Sequence, residues 1–250
     1  MSRLAVQGLF KSFGGVRALA GVAFAVAEGE VVAMIGPNGA GKSTCINAIG
    51  GQLAPDRGKV LLDGREIQGL APSALLQRGV GRTFQVAAAF GSLSVRQSIQ
   101  VAIAARERRL GALLPSLESA FTEECDQILE RTGLAAQAAR PCAQLAYGDL
   151  KRVDLAIALA GRPRLLLMDE PAAGMGFAER QALMQLATGL ARGARLALLF
   201  TEHDMDLVFA HADRVVVLAG GRTIAAGTPA AVRADPQVRR VYLGDEPDDA

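Results

Sequence analysis

The sequence predicts an α/β fold with a mostly parallel β-sheet at its core. A glycine-rich loop lies between an apolar strand and a helix near residue 40, and strand and helix patterns alternate again after residue 160. Each such helix can carry the chain back across a sheet, so that the next strand runs in the same direction. Between about 90 and 160 the patterns are helical instead. We therefore expect helices inserted into a chain that otherwise forms the sheet.

The composition fits one large domain with an ample core. The chain has 250 residues, of which 50% are apolar and only 4% aromatic, so Ala, Leu and Val must build the core. The net charge of +2 argues against a nucleic-acid partner, which usually requires a strongly basic face. Cys45, Cys125 and Cys142 are widely spaced, which favours reduced thiols over disulfides or a metal cluster. We expect neither a signal peptide nor a membrane span, because no uncharged stretch approaches the roughly 20 apolar residues of a span.

Short apolar or alternating runs in the opening third predict strands separated by turns. We expect strands over 4–10, 22–26, 30–35, 59–62 and 79–84, and helices over 42–49 and 72–77. The first two strands are joined by a loop over 11–15, and Gly50-Gly51 ends the first helix. This part of the chain predicts an N-terminal antiparallel β subdomain beside the parallel core.

The middle of the chain predicts three helices, over 94–110, 119–131 and 148–159. We expect them to form a helical subdomain inserted at about 90–160. Ser119 is the expected N-cap of the second helix, and Gly133 its stop. The first helix ends in a basic cluster at 106–109. A solvated helix end is the favoured interpretation of this cluster, and contact with anionic lipid is the alternative.

Alternation of strands and helices resumes in the last third. We expect strands over 164–169, 196–200, 214–218 and 222–226, and helices over 178–191, 205–211, 229–233 and 236–243. The last two strands should pair across the turn at Gly220-Gly221. We expect residues 1–244 to form one domain, and the acidic residues of 245–250 to form a disordered tail.

A phosphate-binding motif organises the chain. Gly36-Pro37-Asn38-Gly39-Ala40-Gly41-Lys42-Ser43 fits G-x-x-x-x-G-K-[ST], which cradles the phosphates of a nucleotide. The glycines let backbone N–H groups converge on an anion, and the N-terminus of the following helix adds its dipole. Lys42 can reach the β- and γ-phosphates, Ser43 can ligate Mg²⁺, and Thr44 can add a hydroxyl near the α-phosphate. A ligand-free turn is disfavoured, because strand, loop and helix follow in the required order.

A second feature is the acidic pair Asp169-Glu170 at the end of an apolar strand. Parallel strands deliver their carboxyl ends to one edge of the sheet, so this pair should lie near the phosphate loop. Asp169 can then hold Mg²⁺, and Glu170 can orient and polarise an attacking water. An ordinary strand end is the alternative, and the phosphate loop upstream argues against it.

Further residues complete an ordered set. Gln85 follows a strand, the segment 145–149 opens a helix before Asp169, and His203 follows the next strand. With Phe13, they make the chain resemble the ABC ATPase family over nearly its whole length. The resemblance implies that Phe13 stacks on the adenine of ATP, that Gln85 lies beside Mg²⁺ as a ligand, and that His203 contacts the γ-phosphate. Phe13 as a loop anchor and His203 as a helix cap are the structural alternatives.

The resemblance also implies that two ATPase domains pair head to tail. Ala146, Tyr147, Gly148 and Asp149 align with the family signature LSGGQ, whose helix would meet the γ-phosphate bound by the other copy. The motion on ATP binding and hydrolysis would pass through the Gln85 region and the helical subdomain to membrane subunits.

Three positions depart from the family pattern. Ala146 lacks the signature hydroxyl, Asp149 brings a negative charge where Gln is usual, and Gly176 stands where the D-loop usually has Asp. We expect these departures to alter the coupling between sites without changing the fold. Cys45, beside the phosphate loop, is interpreted as a packing residue with sensitivity to thiol reagents as the functional alternative.

Segments 81–85, 170–175, 201–206 and 227–244 look like ATPase subunits of branched-chain amino acid importers, a subfamily that also serves urea, amides and small organic acids. This resemblance implies a peripheral subunit on the cytoplasmic face of the inner membrane. Its partners would be a second ATPase subunit, two integral permeases and, indirectly, a periplasmic or lipid-anchored substrate-binding protein. An ABC exporter or lipopolysaccharide-extraction ATPase shares every catalytic motif and stays open. A repair or translation ATPase is disfavoured, because the chain has one cassette and no room for a long coiled coil.

Overall fold

A computed structural model describes residues 2–83, 91–109 and 121–243. The strands are β1 (Ser2–Phe13), β2 (Val16–Ala27), β3 (Val31–Ile35), β4 (Arg57–Leu62), β5 (Arg65–Glu66), β6 (Val80–Thr83), β7 (Leu165–Asp169), β8 (Ala197–Thr201), β9 (Arg214–Ala219) and β10 (Arg222–Gly227). The helices are α1 (Lys42–Ile49), α2 (Pro72–Gln77), α3 (Val95–Arg106), α4 (Thr122–Thr132), α5 (Tyr147–Ala160), α6 (Phe177–Gly193), α7 (Met205–His211), α8 (Pro229–Ala234) and α9 (Pro236–Leu243).

The larger sheet has six strands in the order β10-β9-β3-β8-β7-β6. All neighbours are parallel except β9 and β10, which pair antiparallel across the expected glycine turn. The predicted α/β class with a mostly parallel sheet is therefore confirmed. Strand β8 lies between β3 and β7, and all three run in the same direction. The segments that follow these strands therefore meet at one edge of the sheet.

Side chains alternate between the two faces of this sheet, as a period of two residues requires. Val31, Ala33 and Ile35 pack into an apolar cluster with α6 and α7. Val32 and Met34 face the opposite way and join a cluster with α1 and the second sheet. Burial on both faces explains why these strands are apolar throughout rather than alternating with polar residues.

The second sheet is antiparallel, in the order β2-β1-β4-β5, as expected for the opening third. Its first two strands are longer than predicted, because pairing continues through the polar stretch after Phe10 and only Gly14 and Gly15 form the turn. Lys11 pairs across the strands with Leu19, and its ammonium lies 2.8 Å from Asp56. Hydrophobic patterning does not detect such strand ends, since their partners lie elsewhere in the chain.

Helices α3, α4 and α5 share a third apolar cluster that includes Val95, Ile99, Leu129 and Val153. Ser94 caps α3 in a reciprocal pair with Gln97, which agrees with a helix start at this point. The domain limits at 1–244 and the subdomain limits at about 90–160 stay predictions. The acidic tail over 245–250 lies outside the described residues.

Two expectations about α3 and α4 were wrong. Helix α4 begins at Thr122 behind a left-handed Phe121, so Ser119, which lies outside the described residues, is not its N-cap. Its end at Gly133, also left-handed, is confirmed. The second error is confined to Arg106, whose side chain is 11% exposed and donates to Glu124 at 2.6 and 2.9 Å. The other residues of the basic cluster, 107–109, are exposed, so the interpretation as a solvated helix end is confirmed for them.

Candidate active site

The loop after β3 has a backbone that only glycine can adopt at two positions. Gly36 has φ 156°, and a Cβ there would lie 2.2 Å from the carbonyl oxygen of Leu218. Gly41 has φ 102°, and a Cβ there would lie 2.5 Å from the carbonyl oxygen of Ala18. At both positions a side chain would collide with a backbone carbonyl of a neighbouring segment, so the loop can take this conformation only with glycine.

Lys42 begins α1 and folds back over the loop. Its ammonium donates to the carbonyl oxygens of Gly36 at 2.8 Å and Pro37 at 3.1 Å. Burial lowers the pKa of Lys42, while the nearby carboxylates of Glu170 and Asp169 act in the opposite direction. The two backbone carbonyls thus hold the Lys42 ammonium at the opening of the loop, where its positive charge can bind phosphates.

Asp169 ends β7 beside the start of α1. Its Oδ1 accepts from the Thr201 hydroxyl at 2.8 Å and lies 3.5 Å from the hydroxyl of Ser43. Its Oδ2 lies 3.6 Å from the guanidinium of Arg82 on β6. A hydroxyl and a carboxylate side by side fit the oxygen ligands that Mg²⁺ prefers, with phosphates and water to complete its shell.

Glu170 and His203 lie on neighbouring loops and contact each other. The Oε1 atom of Glu170 is 2.6 Å from Nε2 of His203. Glu170 has a left-handed backbone, with φ 47°, which is uncommon for a residue with a side chain. The structure therefore brings together the carboxylate and imidazole that the sequence assigns to hydrolysis.

A cavity of about 370 Å³ joins these groups. It is lined by residues 38–44 of the phosphate loop, by Glu170 and His203, and by Phe13 at the end of β1. Phe13 is 49% exposed, which excludes the alternative of a buried loop anchor. Gln85 lies outside the described residues, and its position as a metal ligand stays a prediction.

The signature segment does not reach this cavity. Ala146 is the N-cap of α5, and no side chain caps that helix end. The Tyr147 hydroxyl donates to the carbonyl of Ala173 at 3.2 Å, and Gly148 packs near Met175. Asp149 turns toward Arg152, with 3.9 Å between their charged groups. None of the four residues Ala146, Tyr147, Gly148 and Asp149 therefore lines the cavity within its own chain.

Sequence reasoning missed three polar residues around the site. The Arg82 guanidinium donates to side chains of Asn47 and Gln52 at the end of α1, besides facing Asp169. Thr201 and Glu202 end β8 and are both buried. A polar residue that ends an otherwise apolar strand was the signal that identified Asp169, and the same signal could have identified Thr201.

Cys45 is fully buried in α1, which confirms its interpretation as a packing residue. Burial raises the pKa of its thiol to about 12. Because the thiolate is the reactive form, the alternative of a sensitive thiol beside the loop is not supported.

The site combines a phosphate-binding loop, a carboxylate placed to ligate Mg²⁺, and a carboxylate–imidazole pair suited to hydrolysis. Together these features define a nucleoside triphosphatase of the phosphate-loop class. Residues 19–173 match the family model described as ABC transporter. The chain belongs to this family, whose ATP-binding cassettes bind nucleotide and hydrolyse ATP to power transport. Residues 222–248 match a second model, described as Branched-chain amino acid ATP-binding cassette transporter.

Curated relatives align along nearly their entire length. The chain is 39% identical to the high-affinity branched-chain amino acid transport ATP-binding protein BraF of Pseudomonas aeruginosa, covering 98% of this chain and 100% of that protein. It is 38% identical to LivG of Salmonella typhimurium, which carries the same description, over 97% and 98% of the two chains. Identity to the lipopolysaccharide export system ATP-binding protein LptB of Haemophilus influenzae is 32%, over 98% and 99%.

Solved cassettes share the fold. The ADP conformation of MJ1267, an ATP-binding cassette of an ABC transporter, superposes with a TM-score of 0.85 at 31% identity. The match covers 98% of this chain and 100% of that one.

Proposed function

We propose that this chain is the ATP-hydrolysing motor subunit of an importer for branched-chain amino acids or related small amides and organic acids. The observation that carries hydrolysis is the Glu170–His203 contact of 2.6 Å at the cavity of the phosphate loop. The substrate class rests on the similarity to BraF and LivG and on the C-terminal match over 222–248.

In this proposal the cavity binds ATP with Mg²⁺. The backbone N–H groups of 36–44 and the Lys42 ammonium bind the phosphates, and Phe13 stacks on the adenine. Ser43 and Asp169, with Gln85, would hold Mg²⁺, which would supply positive charge to the phosphates.

Glu170 orients and polarises the attacking water and accepts its proton. The water oxygen bonds to the γ-phosphorus while the bond from that phosphorus to the β–γ bridging oxygen breaks, so that ADP leaves and inorganic phosphate forms. His203 then stands where its imidazole can contact the γ-phosphate and fix the Glu170 carboxylate. The nearby carboxylates of Glu170 and Asp169 favour the charged form of Lys42, against the effect of its burial.

Two copies would pair head to tail. Helix α5 starts without a side-chain cap, at Ala146, Tyr147, Gly148 and Asp149, so its first backbone N–H groups can donate hydrogen bonds to an anion. This helix end does not line the cavity of its own chain. In a pair, this helix end would approach the γ-phosphate bound by the other copy. The turn of Asp149 toward Arg152 removes part of the negative charge that would otherwise oppose that approach.

The proposed partners beyond the dimer are two membrane permeases and, through them, a substrate-binding protein, at the cytoplasmic face of the inner membrane. Among the described residues, no helix is both long and apolar enough to cross a membrane. A cavity of about 530 Å³ lies where α2 and the second sheet meet the ends of α3 and α5. Five arginines line it, namely Arg65, Arg78, Arg106, Arg162 and Arg164. Arg106 and Arg162 pair with Glu124, and Arg164 pairs with Asp63, so their charge is largely offset. The charges of Arg65 and Arg78 support docking of an acidic segment of a permease at this cavity.

The alternative is an export or lipopolysaccharide-extraction motor, which the similarity to LptB supports at lower identity. The two functions differ in their partners. Co-purification with permeases and a substrate-binding protein would favour import. Stimulation of ATP hydrolysis by the substrate-bound form of that binding protein would decide between import and export.

The Glu170→Gln variant tests hydrolysis directly, because it keeps the shape of the side chain and removes its basicity. ATP hydrolysis should fall by about 100-fold or more. ATP affinity should persist or increase, and gel filtration with ATP and Mg²⁺ should show a shift from monomer to dimer that the wild type lacks. Asp169→Asn should lose activity without trapping a dimer. Normal hydrolysis by Glu170→Gln would refute the assignment.

A further inference from the structure

The loop that carries Glu170 needs an anchor, because its backbone is in a conformation that residues with side chains rarely adopt. Glu170 has φ 47°, in the left-handed region. Such a conformation persists only where surrounding contacts determine it. Two residues at the end of β8, Thr201 and Glu202, make those contacts.

Thr201 contributes one hydroxyl that acts as both acceptor and donor. It accepts from the backbone N–H of Glu170 at 3.0 Å and donates to Oδ1 of Asp169 at 2.8 Å. Because a hydroxyl has a single proton, the Thr201 hydroxyl donates that proton to Asp169 and accepts from Glu170 with a lone pair. Thr201 therefore fixes the backbone of the hydrolytic residue and the carboxylate proposed to hold Mg²⁺ at the same time.

Glu202 contributes a carboxylate that bridges two loops. One oxygen accepts from the backbone N–H of Ala172 at 3.1 Å, and the other from that of His203 at 3.3 Å. The residue is only 6% exposed, and burying a carboxylate is costly unless hydrogen bonds compensate. Burial raises the pKa of Glu202, and the two N–H groups oppose that shift. Its position joins the loop of Glu170 to the loop of His203.

We propose that Thr201 and Glu202 are positioning residues that clamp the loop after β7 and so hold the Glu170 and His203 side chains against each other. This inference rests on the proposed function, since it assigns the clamp to hydrolysis. Neither side chain lines the cavity, so the clamp acts on catalysis through Glu170 and His203 and not through contact with nucleotide.

The experiment uses the purified full-length chain and three variants. Thr201→Val is nearly isosteric and removes the hydroxyl, Glu202→Leu removes both acceptors, and Glu202→Gln keeps one oxygen that can accept from Ala172. Thr188→Val is the matched control: it removes another buried hydroxyl, whose bonds within the described part of the chain go to the α6 carbonyls of Met184 and Gln185. For each variant, kcat is compared with the Kd of a fluorescent ATP analogue and with the melting temperature.

Thr201→Val and Glu202→Leu should lower kcat by about 10- to 100-fold, the range for a small displacement of catalytic groups, and change the Kd by less than about twofold. Glu202→Gln should recover kcat to within about fivefold of the wild type, because it keeps the acceptor for the Ala172 N–H in the Glu170 loop and loses only the acceptor for the N–H of the adjacent His203. Thr188→Val should leave kcat unchanged even where it lowers the melting temperature.

The proposal is overturned if Thr201→Val keeps its kcat, or if kcat falls in Thr188→Val in step with stability. Should Glu202→Leu not fold, Thr201→Val decides alone, because it adds no volume and no charge. The Glu170→Gln variant distinguishes failure of the proposed hydrolytic function from failure of the clamp. If it still hydrolyses ATP, the proposed function fails; if it is inactive while Thr201→Val is normal, only the clamp fails.

Discussion

Phe13 presents an aromatic face at the rim of the cavity, where an adenine would stack. Stacking of a base on an aromatic side chain is worth about 1–3 kcal/mol, so Phe13→Ala should raise the Kd for ATP at least about fivefold. Titration of the chain with ATP measures this directly. We expect kcat at saturating ATP to change little, because the ring is remote from the reacting phosphate.

Phe10 offers a matched control on the same strand. It is also partly exposed, yet its ring packs against Gly21 and does not line the cavity. Phe10→Ala should leave the Kd unchanged. An equal rise in both variants would mean that the substitutions had displaced β1, and would contradict a stacking role for Phe13.

The residues predicted from the sequence are those whose spacing along the chain defines the chemistry. Lys42 and Ser43 belong to one contiguous motif, and Asp169 and Glu170 end one strand, so local sequence was sufficient. The same signal marks Thr201 as the polar end of an apolar strand, but the roles of Thr201 and Glu202 could not be assigned from it. Their role depends on backbone N–H groups roughly thirty residues away, at Glu170 and Ala172, which only the pairing of β7 with β8 brings near.

At the scale of elements, Glu124 joins three helices by charge. It accepts from Arg106 at the end of α3 and from Arg162 just beyond α5, and Arg106 also donates to the carbonyl of Ala160. The hydrogen bond from Arg106 is the main reason that the pKa of Glu124 is lowered, ahead of the opposing effect of burial. Glu124→Gln should therefore lower the free energy of unfolding at pH 7 by roughly 2 kcal/mol, as expected for a hydrogen bond to a charged group.

The pH dependence follows from the direction of this shift. When the pKa of a carboxylate is lower in the folded than in the unfolded state, its ionised form stabilises the folded state. This contribution is complete above the unfolded-state pKa of about 4.3, and it is lost as pH falls through the folded-state pKa. The difference between wild type and Glu124→Gln in urea unfolding should be constant from pH 7 to 5 and shrink below about pH 4. Glu123→Gln, an exposed neighbour on the same turn, is the control for the loss of one carboxylate at the start of this helix.

Helices were predicted better than strands for a local reason. The bounds of α1, α2, α7 and α9 agree with the sequence because each begins or ends at a cap, glycine or proline that acts within a few residues. The ends of β1 and β2 were not found, since their polar residues are held by pairing between strands. The two-residue strand β5 is too short for any periodicity.

At the scale of the whole molecule, the arginine-lined cavity should determine docking to the permeases. Arg65 and Arg78 are exposed at this cavity. Changing both to Glu should abolish co-purification with co-expressed permeases, because an acidic segment would then be repelled, while the Kd for ATP should stay unchanged.

Charge reversal at Arg239 and Arg240 on α9 is the control for net charge, since both are exposed and neither lines the cavity. If this second pair weakens the complex equally, or if the first pair has no effect, the docking surface lies elsewhere. The parallel core and the nucleotide cavity were accessible from sequence, but this surface was not. Its arginines come from segments as distant as 65 and 164, and they meet only in the folded chain.

The burial of all three cysteines makes this protein suitable for site-specific labelling without first removing native thiols. Burial raises the pKa of Cys45 to about 12 and that of Cys125 to about 11. Burial therefore disfavours the reactive thiolate form of both residues at neutral pH. A cysteine introduced at an exposed position such as Arg239 would take up a maleimide dye alone. Energy transfer between donor- and acceptor-labelled copies would then follow their approach and separation during each cycle of ATP turnover, in real time and in the presence of membranes.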